Sequence, residues 1–166
     1  MTDPAPEVVA LLLRRGQTVA AAESLTGGLV CAALTAVPGS SAVLTGGIVA
    51  YTPPVKTALA DVPAKVIEEF GLVSAQVAGA LARGAARRCG ADWGVGTTGA
   101  AGPDPHDDAD PGTVWVCVSD PDGAVTARRY RFEGDRRAVR DGAVVAALAL
   151  LRGRLAADVS RDAPTE

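Results

Sequence analysis

Apolar residues recur at helical spacing in some stretches of the chain and form short or alternating runs in others. Apolar positions three and four residues apart predict helices, and short apolar runs bounded by Gly, Pro or Asp predict strands. The two kinds of stretch follow one another, which indicates an α/β protein. The predicted elements are, in order, a helix over 5–15, a strand over 17–23, a helix over 27–37, a strand over 43–50, short helices over 55–59 and 64–70, a long helix over 74–89, strands over 93–97, 113–119 and 124–132, and a final helix over 135–155.

The connections between these strands predict the architecture. Strands joined by helices are usually parallel, whereas the tight turn at Pro121–Gly123 predicts an antiparallel pair. Ser74 is suited to cap the long helix, and Pro53 and Pro54 end the second strand. We therefore expect a three-layer α/β/α sandwich, with a mixed, mostly parallel sheet between two layers of helices.

Composition indicates one domain and disfavours several classes of partner. The chain of 166 residues is 48% hydrophobic, with 19 Gly and 4% aromatics, which predicts a single domain over 1–156 and a solvated tail over 157–166. Its net charge is −3, and its 16 Lys and Arg are scattered along the chain. This pattern argues against nucleic-acid and membrane partners and is compatible with a small anionic ligand held by a few local cations.

The N-terminus and the cysteines favour a cytoplasmic location. The first seven residues are acidic and Pro-rich, unlike a signal peptide, and the longest apolar stretch, 143–151, is about half of a bilayer span. Cys31, Cys89 and Cys117 are odd in number and widely spaced, which predicts reduced thiols. Since neither a CxxC motif nor clustered His accompanies them, we expect no metal site.

The richest local signal is the segment 18–28, where an apolar strand gives way to Ser24, Thr26, Gly27 and Gly28. Apolar residues then recur at helical spacing, so this corner is predicted to lie at the opening of a helix. The exposed N–H groups of a helix N-terminus favour a phosphate, a carboxylate or a developing oxyanion. Ser and Thr are also common helix caps, so the corner alone does not decide between chemistry and capping.

Other segments end a strand or begin a helix in the same way. In open α/β sheets ligands bind beyond the carboxyl ends of the strands, so we expect these segments to meet at one crevice. Arg136 and Arg140 are one turn apart on the last helix and share a face that suits a phosphate. The segments are Pro38–Ser41, Gly46–Tyr51 followed by Lys56, Thr97–Pro103, and Gly134–Arg136 followed by Arg140.

With these motifs the chain resembles the nicotinamide-nucleotide amidases related to the C-terminal domain of the competence/damage-inducible protein CinA. The resemblance extends over about residues 5–155. The ordered matches that carry it are Ala22–Gly28, Val37–Ser41, Tyr51–Lys56, Gly71–Ser74, Thr98–Pro103, Gly112–Val114 and Gly134–Arg136.

The resemblance implies hydrolysis of the carboxamide of nicotinamide mononucleotide to nicotinate mononucleotide and ammonia in NAD salvage, without a metal or an organic cofactor. An amide is a poor electrophile, so the reaction needs a nucleophile, a base and donors for the oxyanion. The implied nucleophile is Ser24, the base is Lys56, and Thr98 with nearby N–H groups supplies the donors. A lysine amine serves as a base when burial lowers its pKa.

The family likeness also assigns the substrate-binding residues and a homodimer as the expected assembly. Tyr51 is suited to stack on the pyridine ring or to hold Lys56, and the small-residue turn after Thr98 lets backbone N–H groups approach a ligand. The expected substrate-binding residues are Thr26, Gly27, Gly28, Tyr51, Gly99, Ala100, Gly102, Arg136 and Arg140.

Several alternatives stay open at this point. Lys56 after two prolines is compatible with an ordinary surface charge, and His106 is the alternative base. The loop 104–110 carries four Asp where relatives commonly have glycines and a lysine, and these carboxylates would repel the substrate phosphate if they faced the crevice. The alternative functions are a non-catalytic nucleotide- or phosphate-binding module, and an amidase of different substrate or an interaction protein linked to competence or DNA damage.

Overall fold

The computed structural model describes residues 3–159, which form six α-helices and five β-strands. A short 3₁₀ turn at Ser40–Ala42 precedes the second strand. The elements are α1 (Ala5–Arg15), β1 (Val19–Glu23), α2 (Leu29–Thr35), β2 (Leu44–Val49), α3 (Pro53–Ala60), α4 (Ala64–Phe70), α5 (Ala75–Cys89), β3 (Trp93–Gly99), β4 (Thr113–Ser119), β5 (Val125–Arg131) and α6 (Arg136–Val159).

One five-stranded sheet of order β2-β1-β3-β4-β5 forms the middle layer. β1 pairs in parallel with β2 and β3, whereas β4 pairs antiparallel with β3 and β5. Four strands therefore run in one direction and β4 alone runs against them. The mixed, mostly parallel sheet predicted from the connections is confirmed.

Alternate residues of β1 serve two separate cores on the two faces of the sheet. Val19 and Ala21 pack with α1, α2 and α6 in the larger core, whereas Ala20 and Ala22 pack with α3, α4 and α5. This period of two is what a strand buried on both faces requires. Helices cover both faces, so the predicted three-layer sandwich is confirmed.

Most element boundaries lie within two residues of the predicted ones, and the differences are at strand and helix ends. β3 continues through Thr98 to Gly99 because these residues pair with β4. α6 continues to Val159, so the predicted tail over 157–166 begins with helical residues, and its part from 160 onward lies outside the described residues.

The three cysteines are free thiols. Cys117 is buried, and Cys31 and Cys89 are half-buried. Burial, reinforced at Cys31 by the neighbouring Glu23 carboxylate, raises the pKa of the Cys31 thiol to about 12, and burial raises that of Cys117 to about 12. Within residues 3–159 no helix has both the length and the apolar composition of a membrane span, and no group of three His, Cys, Asp or Glu is disposed to hold a metal.

Candidate active site

A cavity of about 270 Å³ opens beyond the carboxyl ends of β1 and β3. The chain leaves β1 toward α2 on one face of the sheet and leaves the neighbouring β2 toward α3 on the other face, so it diverges at the carboxyl ends of these two strands. Such a divergence is where ligands bind in open α/β sheets. The cavity is lined by Ser24, Leu25, Tyr51, Gly99, Ala100, Ala101, Gly102, Pro103, Asp104, Pro105, His106 and Arg136.

Ser24 and Lys56 meet at this cavity although 32 residues separate them in the sequence. The Lys56 Nζ donates to Ser24 Oγ at 3.0 Å. Lys56 is 1% exposed, and burial lowers its pKa from the ordinary value to about 8. A lysine with this pKa is partly neutral at pH 7 to 8, so it is able to accept a proton from the serine.

Two backbone carbonyls fix the direction of the Lys56 amine. Its Nζ donates to the Ala50 carbonyl at 2.7 Å and to the Tyr51 carbonyl at 3.2 Å. A neutral amine has two N–H groups and one lone pair, so with both carbonyls bound the lone pair points to the third partner, Ser24.

The two prolines start the helix that presents Lys56. Thr52 is the N-cap of α3, and Pro53 and Pro54 occupy its first positions, where a missing N–H costs nothing. Lys56 therefore lies in the first turn, and its amide donates to the Thr52 carbonyl at 2.9 Å. Its burial excludes the alternative of an ordinary surface charge.

The helix N-terminus after Ser24 is occupied by a side chain of the protein itself, which corrects the expectation that this corner would receive an external anion. The Glu23 carboxylate accepts from the amides of Gly28, Val30 and Cys31, each at 3.0 Å. Glu23 is 1% exposed. A carboxylate satisfies the unpaired amides of a first helical turn more strongly than a hydroxyl does, so Glu23 rather than Ser24 caps this turn.

Three of the residues assigned to substrate binding lie around this corner and outside the cavity lining. Thr26 is buried, and its hydroxyl is 2.8 Å from that of Thr97. The amide of Gly28 is bound to Glu23, and Gly27 is exposed and adjoins the guanidinium of Arg140.

Arg140 also lies outside the cavity lining. Its Nε donates to the Leu25 carbonyl at 2.9 Å and its Nη2 to the Thr26 carbonyl at 3.1 Å. The structure thus separates the two arginines that share a face of α6, since Arg136 lines the cavity and Arg140 binds the backbone of the corner.

The residues at the carboxyl end of β3 and just after it also divide between the cavity lining and the backbone. Gly99, Ala100 and Gly102 line the cavity as predicted, but the Thr98 hydroxyl donates to the Leu72 carbonyl at 2.7 Å. Thr98 therefore ties β3 to the segment before α5 in this structure.

Tyr51 and Arg136 bridge the mouth of the cavity. The Arg136 Nη2 donates to the Tyr51 hydroxyl at 2.8 Å, and its Nη1 donates to the Gly102 carbonyl at 3.3 Å. Both side chains are exposed, so they are accessible to a ligand. Tyr51 serves both ends of the site, because its carbonyl binds Lys56 while its hydroxyl binds Arg136.

The four aspartates of the loop 104–110 have different surroundings. Asp107 accepts from the amides of Leu72 and Val73, and Asp110 pairs with Arg131 at 2.9 Å. Asp104 lines the cavity together with His106, whereas Asp107, Asp108 and Asp110 do not.

Sequence reasoning missed Glu23 and Asp107 as organisers of the site. Glu23 carried a usable signal, because a charged residue ends a strand predicted to be buried on both faces, and such a charge needs partners. Asp107 carried none, since its contacts with Leu72 and Val73 cross 35 and 34 residues.

The fold and the site together define an α/β/α sandwich protein with a buried lysine hydrogen-bonded to a serine at the ends of its central strands. The family profile of the CinA C-terminal domain matches residues 1–155. The chain belongs to this family.

The similar proteins agree with this assignment. The chain is 51% identical over 152 residues to a CinA-like protein of Parasynechococcus marenigrum, covering 90% of the chain and 36% of that protein. It is 52% identical over 153 residues to a CinA-like protein of an Anaeromyxobacter species, covering 90% and 37%. The chain spans about a third of the length of these curated relatives.

Solved structures of the superfamily match the fold over most of both chains. A competence-damaged protein (CinA) superfamily protein from Klebsiella pneumoniae superposes with a TM-score of 0.88 at 32% identity, covering 92% of this chain and 96% of that one. A competence/damage inducible protein from Agrobacterium tumefaciens gives 0.86 at 33% identity, covering 92% and 96%.

Proposed function

We propose that the protein is a nicotinamide-nucleotide amidase that hydrolyses the carboxamide of nicotinamide mononucleotide, with Ser24 as nucleophile and Lys56 as base. The observation that carries the proposal is the 3.0 Å contact between Lys56 Nζ and Ser24 Oγ beside a cavity that Ser24 lines. The choice of substrate rests on the resemblance of the sequence motifs to the amidase family.

The proposed reaction has two halves. Ser24 Oγ attacks the carboxamide carbon while its proton passes to Lys56 Nζ, and Lys56 then returns that proton to the departing ammonia. Water next attacks the acyl ester and gives its proton to Lys56, and Lys56 passes that proton to the departing Ser24 Oγ as nicotinate mononucleotide is released. The Ala50 and Tyr51 carbonyls accept from Nζ and keep the amine oriented through both halves.

Backbone amides are the proposed donors for the oxyanion. The amide of Ser24 donates to the Thr97 carbonyl at 3.0 Å and is therefore not free to bind an oxyanion. The next amide, that of Leu25, has no acceptor among residues 3–159, and Leu25 lines the cavity. The amide that follows a nucleophile on a strand-to-helix turn is a common oxyanion donor.

Arg136 is the proposed phosphate ligand. It is exposed, it lines the cavity, and its hydrogen bonds to Tyr51 and Gly102 are ones that a phosphate is able to replace. A cytoplasmic location belongs to the same proposal and fits three free thiols.

The first prediction tests the reaction by ammonia release from nicotinamide mononucleotide without added metal. Ser24→Ala and Lys56→Met each lower turnover by about 10³-fold or more, because each removes a group that the chemistry requires. Lys65→Met, the matched change at the other lysine of the chain, leaves turnover within about twofold, since Lys65 is exposed and away from the site.

The outcome also separates the alternatives. Binding of the nucleotide without turnover by the wild-type protein would favour a non-catalytic binding module. Turnover that survives Lys56→Met would disprove the serine–lysine mechanism. One relative is named a putative competence-damage inducible protein, and neither binding nor turnover of the nucleotide would point to a different substrate or to a role of that kind.

A further inference from the structure

We infer that Glu23 and Arg140 are positioning residues that clamp the backbone around Ser24 from two sides, and that Arg140 acts on the reaction through this clamp rather than through the substrate phosphate. The inference rests on the proposed function, because it takes Ser24 as the nucleophile.

Glu23 binds the part of the corner farther along the chain, at the first turn of α2. It is the last residue of β1, and its side chain reaches past Ser24 to residues 28–31. Oε2 accepts from the amides of Gly28 and Val30, and Oε1 accepts from the amide of Cys31. The turn that contains Ser24 is thereby closed by a side chain that is 1% exposed, where water does not compete for the donors.

Arg140 binds the part of the corner next to Ser24, through backbone carbonyls that follow the serine. Nε and Nη2 donate in a fork to two successive carbonyls, those of Leu25 and Thr26. These are the first two carbonyls after the nucleophile. The planar guanidinium matches this pair of acceptors in a way that a lysine ammonium does not.

Gly27 leaves room for the guanidinium. A Cβ at this position would lie 3.3 Å from Arg140 Nη2, and the backbone of Gly27 has a φ of +58°. A residue with a side chain would be strained at this φ, and its side chain would crowd the Arg140 guanidinium. The glycine assigned from the sequence to substrate binding thus has a structural reason of its own.

The two charges match the polar groups of the corner. The carboxylate takes N–H groups and the guanidinium takes C=O groups, while the amide of Ser24 itself is held by the Thr97 carbonyl. Ser24 is consequently flanked by fixed backbone on both sides. Its Oγ is then held against Lys56 without any contact between the clamp and the substrate.

The test compares the clamp variants Glu23→Gln and Arg140→Lys on nicotinamide mononucleotide and on nicotinamide riboside, which lacks the phosphate. Gln keeps one acceptor oxygen but turns its amide NH2 group, a donor, toward a backbone N–H, and Lys keeps the charge but loses the fork. Each variant lowers kcat by about 10- to 100-fold on both substrates, with KM within about threefold, because a displacement of about 1 Å costs this much.

Two control variants separate an effect on phosphate binding from a general effect of substitutions in α6. Arg136→Met raises KM for the mononucleotide and not for the riboside. Arg137→Met, on the same turn of α6 with 89% of its side chain exposed, changes neither. A loss in Arg140→Lys that is confined to the phosphorylated substrate would overturn the inference and make Arg140 a phosphate ligand.

A second readout is independent of the substrate: the rate at which a fluorophosphonate labels Ser24, followed by intact mass. The clamp variants label more slowly than the wild type at equal circular dichroism, and an unchanged rate overturns the inference. If Glu23→Gln does not fold, Arg140→Lys carries the test. A wild type that is labelled but does not hydrolyse the nucleotide refutes the proposed substrate alone, and a wild type that is not labelled and does not hydrolyse refutes both.

Discussion

Lys56 is buried and has no acidic partner among residues 3–159, and this is the residue-scale feature from which the proposed chemistry follows. Its hydrogen-bond partners are two carbonyls and one hydroxyl, and burial is the cause that lowers its pKa. An ion pair would have stabilised the ammonium and removed the base. The uncharged surroundings instead favour the neutral amine that a serine needs.

The pH profile of kcat/KM is therefore predicted to follow Lys56. The base must be neutral, so activity is low below its pKa of about 8 and rises to a plateau above it. The profile is measured between pH 6 and 10 with nicotinamide mononucleotide. His106→Gln is expected to leave activity and the profile unchanged, and a large loss of kcat/KM in His106→Gln would instead identify His106 as the base.

The sequence predicts site residues best where the residue type has one characteristic chemistry. Ser24 after a strand, and Lys56 through the family likeness, were both selected, and the structure places them in contact. The hydroxyl of Thr98 and the guanidinium of Arg140 are equally suited to a ligand or to a backbone carbonyl. Only the positions of Leu72, Leu25 and Thr26 in space show that carbonyls take these donors here.

At the scale of elements, α5 approaches α3 closely through a glycine. A Cβ at Gly84 would lie 1.8 Å from the carbonyl oxygen of Ala60, the last residue of the helix that carries Lys56. Gly153 in α6 has no atom of another described segment within 4 Å of such a Cβ. The same residue type thus has a packing role in one helix and none in the other.

This contrast predicts opposite signs for one substitution. Gly153→Ala stabilises the fold by about 0.5 to 1 kcal/mol through helix propensity. Gly84→Ala gains the same propensity but forces two backbones apart, so it destabilises the fold by about 1 to 3 kcal/mol. Urea unfolding measures both, and equal stabilisation by the two variants would refute the close packing of α3 and α5.

The loop 104–110 gives a prediction for substrate affinity. Asp104 is the loop carboxylate that lines the cavity, and the substrate carries a net negative charge because its phosphate outweighs its pyridinium. Asp104→Asn is expected to lower KM for the mononucleotide by about two- to threefold at low salt, and less at high salt. Asp108→Asn outside the cavity is the control, and a KM that rises in Asp104→Asn would show that Asp104 binds the pyridinium instead.

Element types were predictable because their apolar periods are local, whereas the ends of elements depend on distant partners. β3 runs two residues beyond the predicted end because Thr98 and Gly99 pair with Trp115 and Val114 of β4. α2 begins at Leu29 because Glu23 captures the amides that open it. The β4 partners are not recognisable from the residues next to the end of β3, whereas Glu23 could have been recognised as a charge at the end of a buried strand.

At the scale of the whole molecule, the expected homodimer stays a prediction. The apolar stripe of α6 packs into its own core, with Ala143, Ala147, Leu151 and Leu155 all fully buried. A partner surface would thus lie elsewhere than on this stripe. Sedimentation equilibrium is expected to give twice the 16.7 kDa of one chain, and a mass of one chain across micromolar concentrations would contradict the dimer.

The chain contains two lysines, the buried Lys56 and the exposed Lys65, so lysine-specific isotope labels are easy to assign in this protein. Lysine labelled with carbon-13 and nitrogen-15 would give one signal set from the buried amine and one from the exposed amine. Lys65→Arg would leave a single lysine whose chemical shift reports the protonation of Lys56 directly. The proton that the proposed mechanism moves is then visible in the resting protein, before any substrate is added.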